Sequence, residues 1–348
     1  MEQITLRLAE TIQGIGAMGE RVTLALLPTD VHDATEIPTY LAGYKPYQYR
    51  ADEASKIILV DNDEDKYRTF NSDDAFRRVS VKGSDEGAVP EVDPKSSLAT
   101  YKVVNRYVGS FIPKQSQSQR GNAYDPVMQA SRRCRRALDL DRELDVWTLL
   151  GTSGNWDASV RTALGGTAKW NGGTTSNPIY DVQTAIEKSW QPVTEIWFNQ
   201  QVAHTFLRHA EVRNHMRQML GDNAVDRAIA AVAEAGKMSV DFVIPGLPPF
   251  RVVASKVKNE TTSALDYVLS SSNCVLVTVP PGEPRDGEEI ASTYTFRRRG
   301  PSGTGFEARE FELATRGPLG GTMIVVSQAD IAVMTGNKCG GIITGCIQ

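Results

Sequence analysis

Residues 65–103, DKYRTFNSDDAFRRVSVKGSDEGAVPEVDPKSSLATYKV, decide how the rest of the chain is read. They lie within a longer stretch, residues 57–112, that reads as extended strands with little apolar surface of their own. Short strands are expected at 57–60 and 67–70. Residues 76–82 set Val79 and Val81 on one face against Arg78, Ser80 and Lys82 on the other. Gly83, Gly87, Pro90 and Pro94, with Ser84, Asp85 and Glu86 among them, are turn chemistry between two extended runs. The return run, 99–112, places Tyr101, Val103, Tyr107 and Phe111 on one side and Lys102, Arg106 and Ser110 on the other. A lone two-stranded hairpin is marginal in water, so so polar an arm needs another surface to lie on. A second copy of the chain can supply it.

Working outward, residues 1–55 read as an irregular arm. It has a regular segment at 4–12, an apolar run at 22–27, and interruptions at Pro28, Pro38, Gly43 and Pro46. On the other side, QSQSQRGN (115–122) is a polar linker into the clearest helix, residues 125–150. Asp125 is its expected N-cap, with Pro126 at the first helical position. Val127, Ala130, Cys134, Ala137, Leu138, Leu140, Leu144 and Trp147 recur at helical spacing, and Gly151 is a stop. At 1.5 Å per residue such a helix is roughly 40 Å long, a beam that can tie distant parts of a subunit together.

Further helices are expected at 178–189, 200–208, 211–220 and 224–235. Strands are expected at 195–198, 250–257, 274–279, 293–299, 306–313, 322–326 and 331–334. The class is α+β, with sheets closed by strands distant in sequence.

The length, 348 residues, suggests about two domains, and 41% apolar content suffices for a sizeable core. With 38 basic against 42 acidic residues the net charge is -4. That balance argues against a dedicated nucleic-acid binder, so any contact with DNA is expected to be weak. The four cysteines, Cys134, Cys274, Cys339 and Cys346, have no C-x-x-C spacing and fit a reducing compartment. No signal-peptide pattern opens the chain, and no apolar run approaches the roughly 18 residues of a membrane span. Synthesis and folding in a cytoplasm are the expectation.

Motifs that could carry chemistry resolve into structural readings. Gly14, Gly16 and Gly19 match G-x-G-x-x-G, yet no clear helix follows them as a dinucleotide site requires. Asp61, Asp63 and Asp65 resemble a calcium loop, but Lys66 and Ser72 stand where glycine and a bidentate glutamate are needed, so a solvated turn is expected. His204 and His209 lie about 140° apart around a helix and share no metal face. The glycine-rich 300–305 lacks a P-loop lysine and reads as a loop between strands. Arg132, Arg133, Arg135 and Arg136 precede Asp139, Asp141, Glu143 and Asp145, and read as a solvated helix face with pairs such as Arg135–Asp139. The other reading of these arginines is contact with a neighbouring subunit. No catalytic, cofactor or metal site is expected.

The order of arm, long hairpin, long helix and late-closing mixed domain resembles the major capsid proteins of tailed bacteriophages, with the Hong Kong 97-like fold. Residues 65–103 look like that family's extended loop, and DPVMQASRRCRRALDLDRELDVWTLL is similar to its spine helix. Trp170, then NPIYD (177–181) opening a helix, then EIWFNQQVAHTFLRHAEVRNHMRQ form the most family-like block, with Leu207, His209, Glu211 and Val212 matching its Leu-x-x-His-x-Glu-Val turn in part.

The resemblance implies an N-terminal arm (1–55), extended loop (56–98), peripheral domain with its spine helix (99–176, helix 125–150), axial domain (177–315) and a return to the peripheral domain (316–348). It implies a structural protein and not an enzyme, self-assembling into hexamers and pentamers of an icosahedral head around double-stranded DNA. Scaffolding, portal and decoration proteins are the implied partners, with no membrane contact. Arg77, Arg78, Lys82, Asp85, Glu86, Arg132, Arg133 and Arg136 are the candidate subunit contacts. Two features depart from the family: residues 34–56 run long, and no scaffolding domain precedes the arm, which implies a separate scaffold or none. Lys82 and Asn337 match no crosslinking positions. The alternatives are an encapsulin-like nanocompartment shell, a dinucleotide-binding enzyme using Gly14 to Gly19, and an adhesion module.

Overall fold

The computed structural model describes residues 31–33, 37–38, 41, 49–70, 97–117, 125–172, 175–220, 241–259, 263–282, 289–300, 303–313 and 319–347. Two mixed sheets share one long helix. The first sheet is organised by β15 (Gly321–Met334), a strand of 14 residues. On one flank β15 pairs antiparallel with β5 (Val104–Pro113). On the other flank β14 (Glu307–Leu313) and then β13 (Thr293–Arg298) pair with successive parts of it. Beyond these, β2 (Lys56–Val60) runs parallel to β13, and β1 (Val31–Asp33) antiparallel to β14.

The sequence suggests two strands, 322–326 and 331–334, where β15 is continuous. The intervening Ser327, Gln328, Ala329 and Asp330 read as a break because two are polar and one is charged. Gln328 and Asp330 are nevertheless buried, and basic partners satisfy the Asp330 carboxylate. The reverse occurs at 250–257, where one expected strand divides into β9 (Phe250–Val253) and β10 (Lys256–Lys258).

The helix α3 (Pro126–Gly151) follows the two shorter helices α1 (Ala51–Ala54) and α2 (Lys114–Gln117). Asp125 caps it as expected, its Oδ1 accepting the N–H groups of Val127 at 2.9 Å and Met128 at 3.3 Å. The apolar stripe of α3 serves two cores in succession. Ala130, Cys134 and Leu138 pack with Ile112, Ile324 and Val326 of the first sheet, together with Ile37 and Leu41. Val146, Trp147 and Leu150 pack on the second sheet against Trp197, Val253 and Val275. The helix is therefore the expected tie between distant parts.

The second sheet has the order β6 (Arg161–Ala163), β16 (Gly340–Thr344), β12 (Cys274–Val277), β7 (Glu195–Asn199), β9, β8 (Asp241–Phe242). Every residue of β12 is buried, as a strand covered on both faces requires. Its other face carries α4 (Pro178–Lys188), α5 (Gln200–Arg208) and α6 (Ala210–Leu220), through Val182, Phe206, Leu207, Val212 and Met216. Asn177 and Asn199 cap α4 and α5 from the preceding loop and strand. The chain passes from the second sheet to the first at 278–292 and back at 335–339. β13 and β14 thus belong to the sheet that contains β5, and the boundary expected at 315 falls between two paired strands.

The hairpin of β3 (Glu64–Thr69) and β4 (Ser97–Lys102) is the root of the expected loop. It is less polar in effect than its sequence suggests. Tyr101 stacks on Phe296 of β13 at 4.4 Å between ring centroids, and Tyr67 lies 5.6 Å from the same ring. The expected face of the return run is half right. Tyr101 and Val103 are buried, but Tyr107 is 66% exposed. The run is two strands that break at Val103, whose N–H donates to the Asp63 carbonyl at 2.9 Å. One residue outside the ladder exchanges the faces, so along β5 Arg106, Val108 and the buried Ile112 are on the inward side, while Val104 at its start is still exposed. The expected strand at 76–82, the turn at 83–94, the helix at 224–235 and Gly14 to Gly19 lie outside the described residues.

Candidate assembly surface

Between its two apolar patches α3 carries a layer of charge that the first sheet answers. Arg135 pairs with Asp139 at 2.6 Å, and both side chains are nearly inaccessible, at 4% and 2%. Arg142 meets Asp52 of α1 at 2.7 Å and Asp139 at 3.5 Å. From the sheet, fully buried Asp330 accepts from Arg106, Arg297 and Gln328. Arg106 also reaches Asp141 at 2.7 Å and Asp145, so one guanidinium on β5 holds two turns of α3 and the centre of β15. The Arg135 guanidinium lies over the Phe306 ring at 3.8 Å.

Burial lowers Arg297 to about 10 and Arg135 below its ordinary value, with Asp330 and Asp139 opposing the shift. Burial likewise works against the charge of Arg142, where Asp52, Asp139 and Asp330 more than offset it. All three guanidinium groups are charged at neutral pH. Removing one member of such a layer leaves an uncompensated buried charge, which costs about 3–5 kcal/mol. The layer therefore fixes the register of α3 over β5 and β15.

Glu143, one turn further on, joins three segments. Its Oε2 accepts the N–H groups of Arg50 at 3.0 Å and Ala51 at 2.7 Å. Its Oε1 accepts Trp147 Nε1 at 2.8 Å and the Ser255 hydroxyl at 3.1 Å. Burial raises its pKa, and the four hydrogen bonds oppose that rise. Nearby, Arg50 lies over Trp197 and pairs with Asp241 at 2.5 Å, fastening the end of the N-terminal region to β8.

Of the expected contact residues, Arg132, Arg133 and Arg136 are exposed on α3. Arg135 is not part of a solvated face. It turns inward, because its position falls on the same side as Cys134 and Leu138, while the expected Arg135–Asp139 pair does form. Arg77, Arg78, Lys82, Asp85 and Glu86 lie outside the described residues. The buried layer itself had a sequence signal in the acidic residues four positions after the arginines. Arg106 and Asp330 carried none, since each is a lone charge in its strand, and Arg297 begins a run of three arginines with no acidic residue at local spacing.

The remaining motifs take structural places. Asp63 and Asp61 meet Arg298 at 3.0 Å and Arg299 at 3.7 Å, in the turn between β2 and β3. His209 stands between α5 and α6, its Nδ1 accepting the Glu211 N–H at 3.3 Å. Gly300, Gly303 and Gly305 have positive φ in the loop between β13 and β14. All four thiols are free and buried. Among the described residues no group of three or more His, Cys, Asp and Glu side chains could hold a metal ion. No described helix is long and apolar enough to cross a membrane.

On the side of the first sheet away from α3, a groove of about 240 Å³ is bordered by Tyr107, Arg298, Glu307, Arg309, Phe311 and Val325. No protein-family model matches the chain, and no curated protein matches it. Solved structures do. A phage-related protein from Bordetella bronchiseptica RB50 is similar over 91% of this chain and 98% of its own, with a TM-score of 0.66 at 15% identity. The putative capsid protein of a prophage of E. coli CFT073 is similar over 90% and 99%, with a TM-score of 0.58 at 11% identity. The capsid of cyanophage P-SCSP1u is similar over 87% and 89%, with a TM-score of 0.50 at 9% identity. The chain has an α+β capsid fold of the Hong Kong 97-like kind.

Proposed function

We propose that this chain is the major capsid protein of a tailed bacteriophage or prophage, a structural protein whose copies form hexamers and pentamers of an icosahedral head around double-stranded DNA. The observation that carries this reading is two-way coverage. The chain matches the putative capsid protein of a prophage over 99% of that protein's length and over 90% of its own, so the fold is shared over nearly all of both.

The physical arrangement supports it. The described residues form a body braced by α3 and its buried charge, in which the hairpin root ends at the register partners Thr69 and Ser97, and the sequence between them is the proposed extended loop. Arg77, Arg78, Lys82, Asp85 and Glu86 are proposed to contact neighbouring subunits from there, and Arg132, Arg133 and Arg136 from α3. The first sheet with α3 corresponds to a peripheral domain, and the second sheet with α4 to α6 to an axial one. With a net charge of -4 the chain holds packaged DNA weakly, which leaves the DNA free to move. Scaffolding, portal and decoration proteins complete the proposed partners, and assembly is placed in the host cytoplasm before the protein resides in the virion.

Electron microscopy of the purified full-length chain, with a nuclease-protection assay on particles recovered from infected or induced cells, tests the reading. Closed shells holding nuclease-resistant DNA are expected. A monomer or small discrete oligomer under all assembly conditions sinks it, and shells that hold an enzyme cargo in place of DNA replace it with a nanocompartment.

A further inference from the structure

The two crossings between the sheets meet at one fully buried residue, Ser292. Every polar atom it has is engaged. Its N–H donates to the Thr278 carbonyl at 3.0 Å, and its Oγ accepts the Thr278 N–H at 2.8 Å while the same hydroxyl donates to the Cys339 carbonyl. Its own carbonyl accepts the N–H groups of Thr335 at 3.0 Å and Gly336 at 3.2 Å. Thr278 follows β12, Ser292 precedes β13, Thr335 follows β15 and Cys339 precedes β16. One serine therefore ties the ends of strands from both sheets.

The junction is close-packed. A Cβ on Gly336 would meet the Ala291 carbonyl at 2.7 Å and the Cys339 sulfur at 2.8 Å, so the return crossing lies against the outgoing one with no room for a side chain. The Thr335 hydroxyl donates to the same Ala291 carbonyl at 2.9 Å. Thr335 also faces the hairpin. Its carbonyl accepts the N–H of Phe70 at 2.7 Å, and Phe70 is the first residue after β3. The Phe70 side chain packs in the cluster that holds Ala291, Tyr294 and Phe296. The hairpin root is thus held by the junction as well as by its own pairing.

We propose that this junction is a conformational coupling built into the fold: the hairpin root and the joint between the sheets open and close as one unit, with Ser292 as the residue that holds it shut. Phe70, Thr278, Thr335 and Gly336 all lie outside the strands, so no ladder holds their N–H groups once the junction opens. Displacing Thr335 removes the acceptor of the Phe70 N–H, and displacing the hairpin root withdraws that donor from Thr335. Such coupling is reciprocal. A partner that moves the hairpin root therefore loosens the alignment of the two sheets, and a change in their alignment frees the root. The coupling is a property of the subunit alone and does not rest on the shell reading.

Site-resolved amide hydrogen exchange on the subunit is the test. In the wild-type chain the amides of Phe70, Thr278, Thr335 and Gly336 are expected to share one opening, with protection factors within about fivefold of one another and below that of Leu276 in β12, which is paired on both sides. A wider spread overturns the proposal. Protection equal to that of Leu276 also overturns it, since the junction then opens only when the whole fold does.

Ser292→Ala supplies a second readout. It removes the acceptor of the Thr278 N–H and leaves the bond between Phe70 and Thr335 untouched. The Phe70 amide should nevertheless exchange at least about tenfold faster, in step with Thr278 and Gly336, while Leu276 keeps its rate. Faster exchange at Thr278 with Phe70 unchanged overturns the coupling, as does a change at Leu276 as large as that at Phe70. Gly336→Ala disturbs the junction from the other crossing and should speed the same amides. If either variant does not fold, the comparison within the wild-type chain still decides.

Discussion

Glu143 shows how much one side chain can organise. Four donors from three segments converge on it, so Glu143→Gln must turn an amide NH2 toward two N–H groups or toward Trp147 and Ser255. A loss of about 1–3 kcal/mol is expected in denaturant unfolding of the isolated subunit. His209 couples a single residue to pH. Burial lowers its pKa below the ordinary 6.5, against the pull of Glu211 and Asp181, and its neutral Nδ1 accepts the Glu211 N–H. A depressed pKa means the folded state binds the proton less readily than the unfolded chain. This contribution to stability is therefore present above the ordinary value and is lost as pH falls through the lower one. His209→Asn keeps an acceptor that does not titrate, so its stability should decline less than that of the wild type as the pH is lowered below 6.5, measured by thermal melts across pH.

At the scale of elements, α3 was the most legible part of the chain. Its cap, its proline at the first position and its apolar spacing are local signals that need no tertiary context, and the helix ends within a residue of where they place it. Asp125→Ala should therefore cost about 1 kcal/mol and leave the fold unchanged by circular dichroism. The strands were legible wherever burial alternates or is continuous, as in β7 and β12. They were misread where a distant partner decides the outcome. Asp330 can sit inside β15 only because Arg106 and Arg297 arrive from β5 and β13, separations that no window of local sequence contains. The face of β5 was misread for a related reason, since a single residue, Val103, bonded to the Asp63 carbonyl, resets the alternation. The inward turn of Arg135 is the same lesson on a helix: four arginines in five positions cannot all share one face, and the one four residues after buried Ser131 and three before buried Leu138 goes in.

For the whole molecule, the two-sheet body folds around contacts made within the described residues, and the hairpin root is closed by its own pairing from Thr69 to Ser97. Deleting residues 80–91 should therefore leave a soluble, folded subunit that no longer closes shells, as seen by sedimentation and electron microscopy. Shells of normal size from that variant would remove the role proposed for the loop. The packing of α3 on the second sheet also contains a reporter. Trp147 of α3 and Trp197 of β7 stand 5.0 Å apart at 50° to one another, one indole on the beam and one on the second sheet. Two chromophores that close couple their electronic transitions, and the resulting optical activity depends on their mutual distance and angle. The subunit thus carries an intrinsic spectroscopic gauge where α3 meets the second sheet, which reports any change in their alignment without a label.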